Sequence, residues 1–271
     1  MSVKNKTTIS IFSFLLLLIP LSGCSNSNDK LDITSSNSED AGTAIEEGPM
    51  GETGEEPVLL SPADIGEQLG DAVWEVATNA CGTESGGSSF AVTPNIFITN
   101  EHVIGPDMTP TLISRNGDTL EGVVIGKDWV LDVAVVQISD PVDLWLEWAD
   151  PNELREGEQV VSLGYPAPYY QFSVSSGSII SFLREGSSRI GIVSDEASDY
   201  GSSGGPLISE TGQVVGVVTQ ETQEGGAQLL GESFTYSHLG AFIERSIRDG
   251  TVIAENCDAV SYTHLTLPTK R

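Results

Sequence analysis

Val73-Trp74-Glu75-Val76-Ala77, Ser89-Phe90-Ala91-Val92 and Ile96-Phe97-Ile98-Thr99 open a series of short apolar runs on which the fold turns. The series continues with Thr111-Leu112-Ile113, Gly122-Val123-Val124-Ile125 and Val133-Ala134-Val135-Val136. Beyond Asp150-Pro151-Asn152 a second set follows: Gln159-Val160-Val161-Ser162-Leu163, Ser178-Ile179-Ile180-Ser181, Arg189-Ile190-Gly191-Ile192-Val193, Pro206-Leu207-Ile208 and Val214-Val215-Gly216-Val217-Val218. Several of these runs alternate with period two and are rich in β-branched residues, as half-buried strands are. No helical pattern separates them, which predicts an all-β chain built as an antiparallel sandwich or barrel. After the last run, Leu239, Phe242, Ile243 and Ile247 fall at helical spacing and predict a closing helix over about 239–250.

Composition agrees with that reading. Of 271 residues 39 % are hydrophobic, enough for a sizeable core, and the 29 glycines favour a chain rich in turns. Twelve basic residues stand against 39 acids, a net charge of −27. A phosphate-backbone binder needs basic surface to displace counterions, so nucleic acid is excluded as a partner. One apolar run stands out, near the start, and it is too short for a comfortable membrane span.

That run belongs to an address. Lys4 and Lys6 precede an almost wholly apolar stretch from Ile9 to Leu21, and small residues follow, as in a secretory signal over residues 1–23. Leu21-Ser22-Gly23-Cys24 looks like a bacterial lipobox, in which Cys24 would carry a diacylglyceryl group after cleavage. Cys24 as an ordinary residue behind a plain signal peptide is the alternative. Residues 24–60 are rich in Ser, Asn, Gly, Glu and Asp and read as an acidic, disordered tether that cannot bury enough surface to fold. At the other end Val260 to Thr269 reads VSYTHLTLPT, which looks like a translated sequencing adapter, so 260–271 are set aside and a frame cut short near Ala259 is expected. Residues 61–259 remain as the folded domain, with one set of strands over about 72–148 and another over about 155–240.

Three segments carry the chemistry. Gly201-Ser202-Ser203-Gly204-Gly205-Pro206-Leu207 puts a serine on a glycine-lined turn that a substrate carbonyl can approach closely. Ser203 is the candidate nucleophile, and the amides of Gly201 and Ser203 are the candidate oxyanion donors. A Ser/Gly-rich hairpin without chemistry is the plain alternative. The serine needs a base, and His102 stands just after the apolar run Ile96–Thr99. An acid must orient that imidazole, and Asp132 heads the run Val133–Val136, with Asp128 as its competitor. His238 reads as structural. No His/Cys group has metal-ligand spacing, so neither a metal nor another cofactor is expected.

His102, Asp132 and Ser203 occur in the chain order of chymotrypsin-like proteases. Thr99-Asn100-Glu101-His102-Val103, Asp132-Val133-Ala134-Val135 and Gly201–Leu207 resemble the corresponding motifs of the bacterial HtrA/DegP-type, trypsin-like branch. Gly164-Tyr165-Pro166 and Ser176-Gly177-Ser178-Ile179-Ile180-Ser181 resemble its second barrel. The resemblance covers about Ala72 to Ile247. It implies two antiparallel six-stranded β-barrels with the triad in the cleft between them and protein or peptide substrates. Two positions depart from the pattern: Ser202 stands where Asn is frequent, and Tyr200 where a small residue or proline is common. By the family's register Ala197 lies at the base of the primary specificity pocket, which implies a preference for small or medium apolar side chains. Asp195, Glu196 and Asp199 lie beside it, and the strand through Val218 and Thr219 is expected to form one pocket wall and to pair with extended substrate.

With Cys24 assigned to lipid, Cys81 and Cys257 remain, an even pair in an exported chain, and are expected to form a disulfide, two buried thiols being the alternative. The favoured reading is a membrane-anchored serine endopeptidase acting outside the cytoplasm. A protease-fold binding lipoprotein without catalysis is the rival from another class. A serine esterase is disfavoured, because the strand–helix nucleophile elbow is absent. The oligomeric state is not legible.

Overall fold

A computed structural model of the chain describes residues 58–196, 202–224 and 228–250. The signal, Cys24 and nearly all of the tether, together with Ala197, Tyr200, Gly201, Cys257 and the 260–271 segment, lie outside the described residues. The elements run α1 (Pro62–Leu69), β1 (Val73–Ala80), β2 (Thr83–Thr93), β3 (Ile96–Thr99), α2 (Glu101–Ile104), β4 (Thr111–Ile113), β5 (Thr119–Asp128) and β6 (Val133–Ile138). Then come β7 (Gln159–Gly164), β8 (Ser173–Glu185), β9 (Ser188–Ser194), β10 (Pro206–Ser209), β11 (Val214–Glu224), β12 (Gln228–Phe234) and α3 (Tyr236–Asp249). The strands close into two six-stranded barrels, ordered β1-β2-β3-β6-β5-β4 and β10-β11-β12-β9-β8-β7, with every pairing antiparallel. This is the all-β, chymotrypsin-like architecture that the motifs imply.

The strands that read as unbroken apolar runs are those with both faces buried. Phe97 of β3 points into the first barrel, while Ile96 and Ile98 point into a cluster shared between the barrels. β6 divides in the same way, Ala134 and Val136 inward and Val133 and Val135 to the shared cluster. In the second barrel Val160 faces inward, and Val161 and Leu163 face the partner barrel. Two apolar faces hide the period of two, and the joint they bury holds the barrels together.

The helices close this arrangement. Ser61 and Asp64 form a capping box at the start of α1, with Pro62 in the first turn, and the helix buries Ile65 in the shared cluster. Helix α3 follows the second barrel but packs on β5 and β6 of the first as well as on β9. Leu239, Phe242 and Ile243 enter the shared cluster, each stabilising the joint by about 1.5–3 kcal/mol. Gly126 admits it, since a Cβ there would overlap Ser246 Oγ. Three elements have no counterpart in the sequence reading: α1, β12 and the four-residue α2, which is too short to show a period. Helix α1 falls within a stretch with too few apolar residues to show a period. Strand β12 was missed because its buried positions, Gly231 and Ser233, are small or polar.

Candidate active site

The turn that carries Ser203 is built by close approach between the barrels. Gly204 adopts φ +83°, and a Cβ on it would overlap the Ser88 carbonyl oxygen and Thr99 Oγ1. A Cβ on Gly205 would overlap the Leu163 carbonyl oxygen. Only glycine fits at either place. The turn is then pinned by backbone bonds: Gly204 N–H donates to Val218 O at 2.8 Å, Val218 N–H to Gly205 O at 2.9 Å, and Ser88 N–H to Ser203 O at 2.9 Å. Ser202 is buried and Ser203 half-buried. Ser203 Oγ donates to Thr219 O at 3.2 Å.

His102 stands in the short helix α2, which Asn100 begins as N-cap residue directly after β3. Asp132 occupies a left-handed turn, φ +48°, immediately before β6. Asn100 Nδ2 donates to Asp132 O at 2.8 Å, so the residue that starts the helix also fixes the turn carrying the acid. His102 Nδ1 lies 2.8 Å from Asp132 Oδ2 and 3.0 Å from Oδ1, and the His102 backbone N–H donates to Oδ1 at 3.0 Å. With Nδ1–H facing the carboxylate, the neutral ring keeps its acceptor lone pair on Nε2. The histidine side chain is 50 % exposed and the aspartate 20 %, so one ring edge is open to a ligand while the other is held. Asp128 is occupied elsewhere, accepting from the N–H groups of Val130 at 2.9 Å and Leu131 at 3.1 Å.

Several supporting residues escaped the sequence reading. Lys127 Nζ binds the Gly105 carbonyl and lies 3.3 Å from Glu101 Oε1, which ties α2 to the strand before the acid. Thr99 Oγ1 donates to Ser88 O at 2.7 Å beneath Gly204. Thr99 and Glu101 stand in the segment quoted around His102, though their supporting contacts were not foreseen, whereas Lys127 and Ser88 lie outside it. Of the expected pocket wall, Val218 points into the second barrel beside Leu207 and Val215, and buried Thr219 offers its carbonyl to Ser203. His238 stacks on Phe234 at 4.9 Å between ring centroids, a packing role. A groove of about 720 Å³, lined among others by Glu75, Ala77, Asp107 and Tyr170, runs along β1 and β2 and reaches Gly86. Its lining includes none of His102, Asp132 and Ser203, and Gly87, whose Cβ would point to the opposite face of β2, meets Val103 and the Ser203 carbonyl instead. Burial raises the Glu75 carboxyl above its ordinary pKa. Among the described residues no three His, Cys, Asp or Glu side chains gather as a metal site.

Comparison with known proteins agrees with this fold. Residues 87–217, just under half of the chain, match the family of the trypsin-like peptidase domain. Serine protease Do-like HtrB of Bacillus subtilis is 30 % identical over 166 residues, which cover 58 % of this chain and 36 % of that protein. Mitochondrial serine protease HTRA2 of Bos taurus is 34 % identical over 151 residues, 52 % of this chain and 32 % of its own. A probable periplasmic serine endoprotease, DegP-like, of Rhizobium meliloti is 30 % identical over 172 residues, 61 % of this chain and 34 % of its own. The matched part spans about a third of the length of these relatives. Among solved structures, the HtrA-type protease AlgW with decapeptide superposes with a TM-score of 0.61 at 19 % identity, covering 70 % of this chain and 68 % of that one. The serine endoprotease from Yersinia pestis gives 0.60 at 23 % identity, covering 70 % and 67 %. The shared fold is the double barrel.

Proposed function

We propose that this chain is a serine endopeptidase that hydrolyses peptide bonds with Ser203 as nucleophile, His102 as general base and Asp132 as the acid that orients it. The observation that carries the reading is the pair of contacts from His102 Nδ1 to the Asp132 carboxylate, 2.8 and 3.0 Å, in a chain whose glycine-built turn presents a serine. In the reaction, Ser203 Oγ leaves the Thr219 carbonyl and turns to His102 Nε2, which takes its proton as Oγ attacks the scissile carbonyl. Asp132 stays ionised and stabilises the imidazolium. The amides of Gly201 and Ser203 would hold the developing oxyanion. His102 then passes the proton to the leaving amine, and water activated by the same ring releases the acyl group.

The same reading takes the matured protein outside the cytoplasm, held to a membrane through Cys24 after removal of residues 1–23 and set off by the tether of residues 24–60. The Leu21–Cys24 motif supports the anchor, and the periplasmic naming of a bacterial relative supports the compartment. Two acyl chains suffice for stable attachment where one does not. Cys81, exposed at the β1–β2 turn and engaged in a disulfide, is assigned Cys257 as partner, a bond that would tie the hairpin to the chain beyond α3. One observation favours the rival reading of a catalytically silent binder: the Ser203 hydroxyl is spent on Thr219 O.

A fluorophosphonate probe decides between them, applied to the purified protein and to Ser203→Ala. Labelling of the wild type alone is expected. A folded wild type that takes no label at any pH from 6 to 9 would establish the silent binder.

A further inference from the structure

Asn100 begins helix α2 without capping it. An N-cap asparagine ordinarily accepts the second or third helical N–H on its side-chain oxygen, and here it makes no such bond. The second helical N–H, that of His102, donates instead to Asp132 Oδ1 at 3.0 Å. The Asn100 amide donates through Nδ2 to the Asp132 carbonyl at 2.8 Å. The two residues have exchanged tasks: the acid caps the histidine's helix, and the helix's own first residue holds the acid's backbone. Asn100 is 1 % exposed, and its Oδ1 has no hydrogen-bond partner among the described residues. Turning the amide over gives no remedy, because Oδ1 would then face the Asp132 carbonyl, acceptor against acceptor.

A buried oxygen without a partner works against stability, so what Asn100 contributes lies in what its Nδ2 holds. Asp132 sits at φ +48°, a left-handed conformation that residues with a side chain rarely adopt. Its carbonyl is held by Asn100 and its carboxylate by the His102 N–H and ring. With the carbonyl fixed, only rotation of the side chain is left to aim Oδ2 at His102 Nδ1, 2.8 Å away. Released, the turn can relax toward the ordinary backbone region and swing the carboxylate with it. The backbone of Asn100 meets the serine turn, where a Cβ on Gly204 would come 3.1 Å from Asn100 N, while its side chain serves the acid. We infer that Asn100 is a positioning residue for the His102–Asp132 pair, acting through the Asp132 carbonyl and standing apart from the reacting atoms. Its consequence for turnover rests on the peptidase reading above; its geometry does not.

The test is Asn100→Ala, which removes the bond and the unpartnered oxygen together. Those two effects oppose each other in stability, so the urea midpoint should stay close to that of wild type. On a fluorogenic peptide kcat should fall about 100-fold, the scale of a displacement of about 1 Å at a catalytic group, with KM nearly unchanged. A kcat within about twofold of wild type overturns the inference and leaves the peptidase standing. A second measurement needs no turnover. In protein carrying isotope-labelled histidine, the His102 Nδ1 proton should give a downfield resonance while the carboxylate holds it, identified by its loss in His102→Gln. Asn100→Ala should broaden or abolish that resonance through exchange with water. Its absence from wild type, or its persistence in Asn100→Ala, overturns the inference. A protein that takes no fluorophosphonate yet loses the resonance in Asn100→Ala would sustain the positioning role and end the peptidase reading. In an Asp132→Ala background, Asn100→Ala should slow fluorophosphonate labelling by no more than about twofold, and a further loss of about 100-fold would mark a merely structural residue. Should Asn100→Ala fail to fold, Asn100→Ser, whose hydroxyl is one bond shorter than the amide, is judged by the same kcat ratio and the same resonance.

Discussion

Gly204→Ala separates two reasons for a glycine that are usually confounded. Gly204 and Gly117 have nearly the same backbone angle, φ +83° and +87°. Around Gly117 nothing lies within 4 Å of a built Cβ, so Gly117→Ala should cost only the left-handed backbone penalty, about 1 kcal/mol. At Gly204 the same Cβ falls well inside the 3.0 Å that real Cβ atoms keep, against both Ser88 O and Thr99 Oγ1, and 3.1 Å from Asn100 N. None of these neighbours is a flexible side-chain end. Two belong to the backbone, and Thr99 Oγ1 is fixed by its 2.7 Å bond to Ser88 O. Relief requires the serine turn to withdraw from the first barrel, and overpacking of this kind adds about 1–3 kcal/mol on top of the backbone term. The expected loss is therefore about 2–4 kcal/mol, a fall in Tm of roughly 4–16 °C. Urea unfolding followed by tryptophan fluorescence measures both variants, and fluorophosphonate labelling of the folded fraction reports the turn. Displacement by about 1 Å should also slow labelling by about 100-fold in Gly204→Ala. If the two variants lose the same stability within about 0.5 kcal/mol, the turn is not wedged between the barrels and the account of the nucleophile's placement fails.

Two further outcomes follow from the site. Asp132→Asn should lower kcat by roughly 10⁴, through loss of the carboxylate that orients His102, whereas Asp128→Asn should stay within a few-fold. Peptidase kinetics on the pair would reverse the assignment if Asp128 proved the more sensitive. Glu75 has its pKa raised above 4.5 by burial, so above that pH the folded chain holds a proton that the unfolded chain has lost. Stability from this group therefore falls as pH rises through the window just above 4.5. Glu75→Gln should accordingly raise the urea midpoint at pH 7 and give no gain at pH 4, and an equal gain at both would remove burial as the cause.

What the sequence revealed and what it hid have separate physical causes. Eleven of the strands announced themselves because β-branched residues recur where a pleated surface is buried, and β3 and β6 did so most strongly because both of their faces are covered. The glycine-built turn that carries Ser203 was legible because Gly204 and Gly205 answer a backbone demand that no other residue meets. Strand β12 carries no such signal: it is held by pairing with β9 and β11 while turning Gly231 and Ser233 inward. The choice between Asp128 and Asp132 was open for a similar reason. Both lie near the same strand, and only the left-handed turn at Asp132 decides which carboxylate faces the ring.

The residue that unites the site has no chemistry of its own. Ser88 gives its N–H to the Ser203 carbonyl, takes the Thr99 hydroxyl on its own carbonyl, and accepts the Tyr165 N–H on Oγ at 2.8 Å. Those three bonds reach the nucleophile turn, the strand that delivers His102, and the end of β7 in the other barrel. His102 and Asp132 both come from the first barrel, and Ser203 from the second, so their alignment is a property of the joint rather than of either barrel. A motion that parts the barrels must break the bonds of Ser88 to Ser203 and Tyr165 and uncover Gly204. Activity should then be lost at lower denaturant than tertiary structure, because these few hydrogen bonds, each contributing about 1 kcal/mol, align the site while the many apolar side chains of the shared cluster hold the fold.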